Sequence, residues 1–296
     1  NEIDPTSTSS LVSLFKPDAN DDEIKIGIVK HVKLLAEKYG VSEYKILLLY
    51  DDNYEISGWH SNRIYSGATS DEKNRDILMI LYSGGGRIEP AYLISKTCKR
   101  LAKNKFIVAI PRKAKSAATL IALGADEIHM GLMSELGPID PQIGGFPALG
   151  MHNALNILAS LSCSYPGSSE MLGKYLGEKL DLRVLGYFER ITESAVQYAE
   201  RLLTGKILPE GKSPHSLADH FVNHYKDHGF VIDADEATDL LGSAIVKQQT
   251  SEYTFANALY GSLDFLGLAF DILRKQTFDY VGSINEGLMI RKKADD

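Results

Sequence analysis

Two short apolar runs dominate the hydrophobic pattern of the first half of the chain. Ile77–Tyr82 and Phe106–Ile110 are apolar almost throughout, as strands of a parallel sheet covered on both faces are. Lys45–Tyr50 has the same character, and Glu127–Met130 is a shorter run. Helix-like segments separate these runs, so the pattern up to about residue 130 predicts the alternating strands and helices of an α/β protein.

Helices are predicted between and after these strands. Asp22–Tyr39 has an apolar stripe at helical spacing, and Leu182–Leu203 has one continuous apolar face with Gly205 after its end. The other predicted helices are Glu89–Lys103, Ser116–Leu123, Met151–Ser162, Ser213–His228, Asp233–Leu241 and Tyr253–Lys275. Since the elements after residue 130 are mostly helical, the pattern predicts an α-helical elaboration on the α/β core.

The residues that follow the two central strands carry the candidate chemistry. Ile77–Tyr82 ends in Ser83 and the three glycines 84–86, and Phe106–Ile110 leads to Ser116 among small residues. In neighbouring parallel strands both turns lie at the carboxyl edge of the sheet, where open α/β sheets bind their ligands. The pattern therefore predicts that bare glycine backbone faces a serine at the start of a helix.

A serine hydroxyl acts as a nucleophile only with a base in reach and donors for the developing oxyanion. The helix start supplies donors beside Ser116, and the small residues Ala117 and Ala118 let a substrate carbonyl approach. Ser116 can equally be a simple helix N-cap, and the glycines a tight turn or a phosphate cradle. A Walker loop is excluded because no Gly-Lys-Ser/Thr follows at the required spacing.

Composition and charge restrict the classes of partner. The net charge of −7 argues against a general binder of nucleic acid or anionic membranes. No apolar run reaches the roughly 18 residues of a membrane helix, and the 2 cysteines form neither a disulfide framework nor a metal set. The first residues lack the basic and apolar regions of a secretory signal. These observations predict a cytoplasmic protein without a cofactor.

Three segments resemble the serine dehydrogenase proteinase family, which is related to the Clp-type and signal-peptide-peptidase-type serine proteases. They read Tyr-Ser-Gly-Gly-Gly-x-Ile-Glu-Pro-Ala, Ala-Lys-Ser-Ala-Ala-Thr-Leu-Ile-Ala-Leu-Gly-Ala-Asp-Glu-Ile-x-Met-Gly and Ser-x-Leu-Gly-Pro-Ile-Asp-Pro-Gln. The resemblance is specific over about residues 76–145 and weaker over 182–242. It implies a ClpP/crotonase-like fold, a serine peptidase acting on peptides or unfolded proteins, and a homo-oligomer. Despite the word dehydrogenase in the family name, no dinucleotide chemistry is expected, since no G-x-G-x-x-G turn follows a strand.

The resemblance also implies roles for particular residues. Ser116 resembles the nucleophile of the family, and the residues that resemble its oxyanion hole are Gly84, Gly85, Gly86 and Ala117. The chain departs from the family pattern at Ser83, where the family usually has proline, and at Ala118, where it often has glycine. Either departure bears on the geometry of the oxyanion hole.

The general base is the least defined part of the predicted site. At the spacing of the Clp-type histidine stands Pro141, next to Asp140. A signal-peptide-peptidase-type dyad requires a lysine further on, and Lys174 comes nearest, with Lys179 as the second candidate. We expect Lys174 to be the base, provided that it is desolvated. His129 is a further candidate, although a histidine in a strand is more often structural.

Three histidines, His220, His224 and His228, recur at about one helical turn in the predicted helix 213–228. Such spacing can bind zinc. No further ligand is evident elsewhere in the sequence, so a hydrated helix face without a metal is predicted.

The sequence and the resemblance together predict three segments. Residues 1–20 form a flexible arm, residues 21–205 a ClpP/crotonase-like catalytic domain, and residues 206–296 a helical extension packed on the same domain. A serine peptidase with a Ser-Lys dyad is the predicted function. Two alternatives stay open: a catalytically inactive scaffold or peptide-binding module, and an acyl-thioester (coenzyme A) hydrolase or isomerase on the same fold.

Overall fold

The computed structural model describes residues 4–16, 18–70, 74–143 and 146–293. Its strands are, in chain order, β1 (Lys45–Asp51), β2 (Ile77–Ser83), β3 (Phe106–Ala109), β4 (Lys113–Ala114), β5 (Glu127–His129), β6 (Glu135–Leu136), β7 (Gln142–Ile143), β8 (Phe146–Pro147), β9 (Val246–Lys247), β10 (Gln276–Ser283) and β11 (Leu288–Lys292). Its α-helices are α1 (Asp21–Lys38), α2 (Gly58–Thr69), α3 (Ile88–Leu101), α4 (Ala117–Leu123), α5 (Ala148–Ser164), α6 (Ser169–Lys179), α7 (Leu182–Leu203), α8 (Pro214–Asp219), α9 (Ala234–Leu241) and α10 (Ser251–Ala269).

A mixed sheet forms the centre of the fold. Nine strands of the described ranges join it in the order β11-β10-β1-β2-β3-β5-β9, with β4 paired to β2 and to β6. The strands β1, β2, β3, β5 and β9 run parallel, whereas β10 and β11 add an antiparallel edge. Residues 77–81 of the central β2 are at most 1% exposed, because both faces of the sheet are covered. The α/β core predicted from the sequence pattern is confirmed.

Helices cover the two faces of the sheet. Successive residues of β2 point to opposite faces, so Met79 and Leu81 pack on one side while Leu78 and Ile80 pack on the other. The first side carries α2, α3, α4, α7, α8 and α9, and the second carries α1, α10 and the 3₁₀ segment Thr8–Leu14. Across the described ranges, every helix is too short or too polar to span a lipid bilayer.

Helix α1 illustrates how local sequence defines an element. The Asn20 side chain accepts a hydrogen bond from the Glu23 N–H at 2.9 Å, and the Glu23 carboxylate accepts one from the Asn20 N–H at 3.3 Å. This reciprocal capping satisfies backbone donors that the first turn leaves unpaired. The buried apolar residues of the helix follow at helical spacing, as the sequence predicts: Ile24, Ile28, Val32 and Leu35.

The hairpin β10–β11 is absent from the sequence prediction. Polar residues interrupt the apolar run of β10, and one of them, Asp279, is only 1% exposed. Its carboxylate is bound by Arg291 of β11, with Nε–Oδ1 at 2.9 Å. The ion pair allows a charged residue to occupy a buried strand position. The sequence of β10 therefore lacks the regular pattern of apolar residues that would predict a strand.

The predicted helix Ser213–His228 is wrong in its last turn. Helix α8 ends at Asp219, and the π-helical turn His220–His224 follows it. Tyr225 then adopts extended backbone angles, so the chain leaves the helix before His228. The segment returns to the sheet through an isolated bridge between Ile232 and Leu136.

Candidate active site

Ser116 has a backbone conformation that residues other than glycine rarely adopt. Its φ and ψ are 52° and −118°, at the junction between β4 and α4. Although it occupies the N-cap position, its side chain makes no capping hydrogen bond. Such conformations cost about 1–3 kcal/mol and persist where the surrounding structure imposes them. The hydroxyl, which hydrogen-bonds to none of the described residues, is therefore not explained by helix capping.

Two neighbouring strands bring Ser116 to the glycine turn. Ser83 at the end of β2 pairs with Ala114 of β4, and the Lys115 N–H donates to the Ser83 carbonyl at 3.1 Å. The Thr119 hydroxyl holds the start of α4 by donating to the Ala114 carbonyl at 2.7 Å. The serine and the glycines thus share one sheet edge.

The glycine turn lies in contact with Ser116. Gly85 and Gly86 have φ values of 110° and 148°. A Cβ on Gly85 would lie 2.8 Å from the Ser116 Cβ, and one on Gly86 would lie 2.2 Å from the Ile56 nitrogen. Both distances are shorter than any side chain tolerates, so only glycine permits this approach.

Several backbone N–H groups at this junction have no acceptor among the described residues, and two of them have a clear structural reason. One is Ala117, because the first residue of a helix has no intrahelical acceptor. The other is Gly86, whose peptide unit is fixed by its carbonyl end: the Gly85 oxygen accepts from the Ile56 N–H at 2.8 Å. Since the C=O and N–H of a trans peptide point in opposite directions, the Gly86 N–H points away from Ile56. The Gly85 N–H, by contrast, donates to the Ser83 Oγ at 3.2 Å.

A cavity of about 680 Å³ opens at this junction. Ser116 and the three glycines line it together with the segment 52–55 that follows β1 and with three residues of α7, Tyr187, Ile191 and Ser194. The lining also includes Pro141, Gln142 and His228. The cavity is large enough for several residues of an extended peptide.

His228 is the histidine that shares this cavity with Ser116. Its Nδ1 lies 3.8 Å from the Oδ2 of Asp140, and this nitrogen is buried without a hydrogen-bond partner in the described structure. The Asp140 residue is 4% exposed. The residue types are those of Ser-His-Asp hydrolases, although neither a Ser116–His228 nor a His228–Asp140 hydrogen bond is formed among the described residues. Hydrogen bonds of such sites are often long in the absence of substrate.

Contacts from distant parts of the chain place His228 in the cavity. The Lys115 ammonium donates to the Phe230 carbonyl at 3.0 Å, and Ile232 and Leu136 exchange backbone hydrogen bonds of 2.9 and 3.1 Å. These bonds anchor the loop between Tyr225 and Ile232. The sequence pattern places His228 on a helix face and does not predict its position in the cavity. The signal available was the Asp-His-Gly stretch, which favours a turn; the Asp227 carboxylate accepts from the Gly229 N–H at 2.9 Å.

The lysines predicted as bases lie elsewhere. Lys174 and Lys179 belong to α6, their side chains are exposed, and neither lines the cavity. The structure thus brings Ser116, the glycines, Ala117 and Asp140 together but leaves both lysines outside the group. Their catalytic role stays a prediction.

His129 lies in a buried polar network away from the cavity. Its Nδ1 is 2.7 Å from the Thr250 hydroxyl and its Nε2 is 3.2 Å from the Glu127 carboxylate, while Glu252 lies 3.4 Å from Nδ1. The hydrogen bond with His129 lowers the pKa of Glu252 to about 2. Burial raises the pKa of Glu127, but hydrogen bonds with Lys105 and His129 outweigh it and leave that pKa below its ordinary value.

This network predicts a loss of stability in acid. A carboxyl with a depressed pKa stabilises the fold fully above its unfolded pKa, near 4.5, and loses that contribution as the pH falls through about 2. We expect Glu252→Gln to lower the free energy of unfolding at pH 7 by about 1–3 kcal/mol and to weaken its dependence on acid. Chemical denaturation at pH 7 and pH 3 measures both effects. An unchanged acid dependence in the variant would contradict this role of Glu252.

The comparison with protein families agrees with this geometry. Residues 53–159 match the family model described as ClpP-like SDH-type serine proteinase. This range contains both the glycine turn and Ser116, on a central sheet covered by helices. The protein therefore has a ClpP-like α/β fold. Its matched region is of the SDH serine-proteinase type, which confirms the family resemblance of the sequence. Lys174 and His228 both lie beyond the matched residues.

Two curated proteins of Methanocaldococcus jannaschii, both described as uncharacterized, are similar to part of the chain. They are 33% identical over 110 residues and 34% identical over 109 residues. Each alignment covers 37% of this chain, and 35% and 34% of the respective relatives. The chain thus spans about a third of the length of the curated relatives it matches.

Two solved structures are also similar to the chain, and both are variants of the 1510-N membrane-bound stomatin-specific protease. One is 15% identical with a TM-score of 0.44, covering 70% of this chain and 81% of that chain. The other, in complex with a substrate peptide, is 16% identical with a TM-score of 0.45, covering 85% and 89%.

Proposed function

We propose that this protein is a serine peptidase in which Ser116 is the nucleophile. One observation carries the proposal. Ser116 has a strained backbone conformation and a hydroxyl that does not cap the helix, and it lies beside the unpaired N–H groups of Gly86 and Ala117 at the edge of one cavity. A strained serine beside preorganised donors is the arrangement that acyl transfer requires. The family match over residues 53–159 supports peptide bonds as the substrate class.

In the proposed mechanism the Ser116 hydroxyl attacks the scissile carbonyl. The N–H groups of Gly86 and Ala117 donate to the oxyanion that forms, and they need no reorganisation because the backbone already fixes them. The collapse of the tetrahedral intermediate releases the amine and leaves an acyl group on the serine. Water then attacks this ester and gives a proton to the general base, and the second intermediate releases the acid as the base returns that proton to the Ser116 oxygen.

His228 is the base that the geometry favours. Its Nδ1 lies 3.8 Å from the Asp140 carboxylate, so a small closure on substrate binding would let the Nδ1–H donate to that carboxylate and leave Nε2 to take the Ser116 proton. His228 then gives the proton to the leaving amine, and Asp140 stabilises the imidazolium between these two steps. Lys174 is the competing candidate from the sequence; as an exposed lysine it lacks the desolvation that a neutral amine requires.

The substrate is proposed to be an extended peptide or an unfolded protein. The cavity is open, and the segment 52–55 on one side and α7 on the other leave room for a chain without secondary structure. The homo-oligomeric state, the cytoplasmic location and the three-segment division of the chain remain predictions of the sequence and its family resemblance.

Incubation of the purified protein with unfolded casein, followed by mass spectrometry of the products, tests the proposal. We expect new peptide termini with wild type and none with Ser116→Ala. Parallel incubation with an acyl-coenzyme A separates the alternatives: thioester hydrolysis without peptide cleavage identifies a thioester enzyme. Binding of casein without either reaction identifies a peptide-binding scaffold.

A further inference from the structure

A buried hydrogen-bonded pair outside the cavity, Asp51 with His60, organises the segment that follows β1. The His60 Nε2 is 3.0 Å from the Asp51 Oδ2, and the two side chains are 2% and 0% exposed. The His60 Nδ1 accepts a hydrogen bond from the Ser57 N–H at 3.1 Å. Because Nδ1 is an acceptor, the proton resides on Nε2 and is donated to Asp51.

The second oxygen of Asp51 holds the other end of the same segment. Its Oδ1 accepts from the Asn53 N–H at 2.9 Å and from the Tyr54 N–H at 3.0 Å. The pair thus fixes residues 51–57 at both ends. A carboxylate and an imidazole buried in this way are stable only with their hydrogen bonds complete, so the pair has one arrangement.

This segment in turn determines the orientation of the glycine turn. Ile56 is completely buried, and its N–H donates to the Gly85 carbonyl at 2.8 Å while its carbonyl accepts from the Arg87 N–H at 2.9 Å. A Cβ on Gly86 would lie 2.2 Å from the Ile56 nitrogen, so the two backbones touch without a gap. Any shift of Ile56 therefore turns the Gly85–Gly86 peptide.

We propose that His60, acting with Asp51, is a positioning residue for the oxyanion hole. It holds the segment 51–57, Ile56 of that segment holds the Gly85 carbonyl, and the Gly86 N–H on the opposite side of the same peptide is thereby held toward the reacting carbonyl. This inference rests on the proposed function only in the last step. The Asp51–His60 pair and its hydrogen bonds to the segment 51–57 are a property of the fold, and the pair contacts neither the substrate nor Ser116.

Removal of the imidazole leaves Asp51 without its donor and the Ser57 N–H without its acceptor. We expect His60→Ala to lower kcat for peptide cleavage about 30- to 100-fold while KM changes less than about threefold, because an oxyanion donor acts mainly in the transition state. His60→Gln keeps a donor near Asp51, and we expect it to recover part of kcat.

His31 provides a matched control on the opposite face of the sheet. It is 4% exposed, and its Nε2 lies 2.9 Å from the Ser262 hydroxyl. His31→Gln also replaces a buried, hydrogen-bonded imidazole by an amide, so it reports the effect of that replacement on stability alone. We expect it to leave kcat within about twofold of wild type when all variants are assayed well below their melting temperatures.

Amide hydrogen exchange tests how the Asp51–His60 pair holds the segment 51–57, and it requires no enzymatic assay. We expect His60→Ala to speed exchange of the Ile56 and Arg87 amides by at least about tenfold and His31→Gln to leave them unchanged. If exchange is faster in His60→Ala but the wild-type protein cleaves no peptide, His60 positions the segment 51–57 and the proposed peptidase function is wrong. Unchanged exchange in both His60 variants, or an equal loss of kcat in His31→Gln, would overturn the positioning role.

Discussion

Replacement of Ser116 by alanine is expected to lower kcat/KM for peptide cleavage by about 10⁴-fold or more. The hydroxyl is the proposed nucleophile, and no neighbouring group can replace it in forming the acyl intermediate. Ser116→Gly should be equally inactive but more stable than wild type by about 1 kcal/mol, because glycine adopts the φ of 52° without strain. Steady-state kinetics with a fluorogenic peptide and chemical denaturation measure the two effects.

Ser95 is the control for this prediction. It is a buried serine of α3 whose hydroxyl donates to the Ile121 carbonyl at 3.0 Å. Ser95→Ala should cost about 1 kcal/mol of stability and leave kcat/KM unchanged. Peptide cleavage by Ser116→Ala at the wild-type rate would remove Ser116 from the mechanism, whatever the stability of the two variants.

The second large effect is expected at the proposed base. His228→Gln should lower kcat/KM about 10³- to 10⁴-fold, since the variant has no group that can take the serine proton. Asp140→Asn should lower it about 10²- to 10⁴-fold, because an amide cannot stabilise the imidazolium and favours the wrong tautomer. The same kinetic assay applies, with circular dichroism to establish that the variants are folded.

Two further variants distinguish His228 from its competitors. His224→Gln removes a histidine of the preceding π-helical turn, which is stacked on His220 with ring centroids 4.1 Å apart, and it should retain activity. Lys174→Met should also retain activity. If Lys174→Met is inactive while His228→Gln is active, the base is the lysine predicted from the sequence, and the Asp140–His228 pair has another role.

The sequence predicts the parts of the site that depend on local pattern. The apolar run of β2 followed by three glycines, and the small residues after Ser116, define two strand-to-helix turns. The rule that parallel strands end at one sheet edge then brings the turns together. The contact between Gly85 and Ser116 needs no long-range information beyond that rule.

His228 could not be found in the same way, because its position depends on contacts between distant segments. The anchors of its loop are the hydrogen bond between Lys115 and Phe230 and the bridge between Leu136 and Ile232. Neither pair leaves a pattern in the sequence. The one-turn spacing of His220, His224 and His228 favoured a continuous helix, and the π-helical turn that ends this helix has no sequence signature.

The Asp51–His60 pair is likewise not predictable from local sequence patterns. Both residues lie in the polar part of the sequence that runs from the end of β1 to β2, yet both side chains are buried. Each satisfies the other and the backbone between them, so their burial follows from pairing rather than from hydrophobicity. Polarity alone therefore conceals the segment that supports the glycine turn.

Covalent labelling with a fluorophosphonate probe tests the central claim most directly. The probe reacts with a serine that has both an activated hydroxyl and an oxyanion hole, and peptide mapping by mass spectrometry locates the adduct. We expect a single adduct on Ser116 in wild type and none in Ser116→Ala, with strongly slowed labelling in His228→Gln. No adduct on wild type, or an equal adduct on Ser116→Ala, would contradict the account.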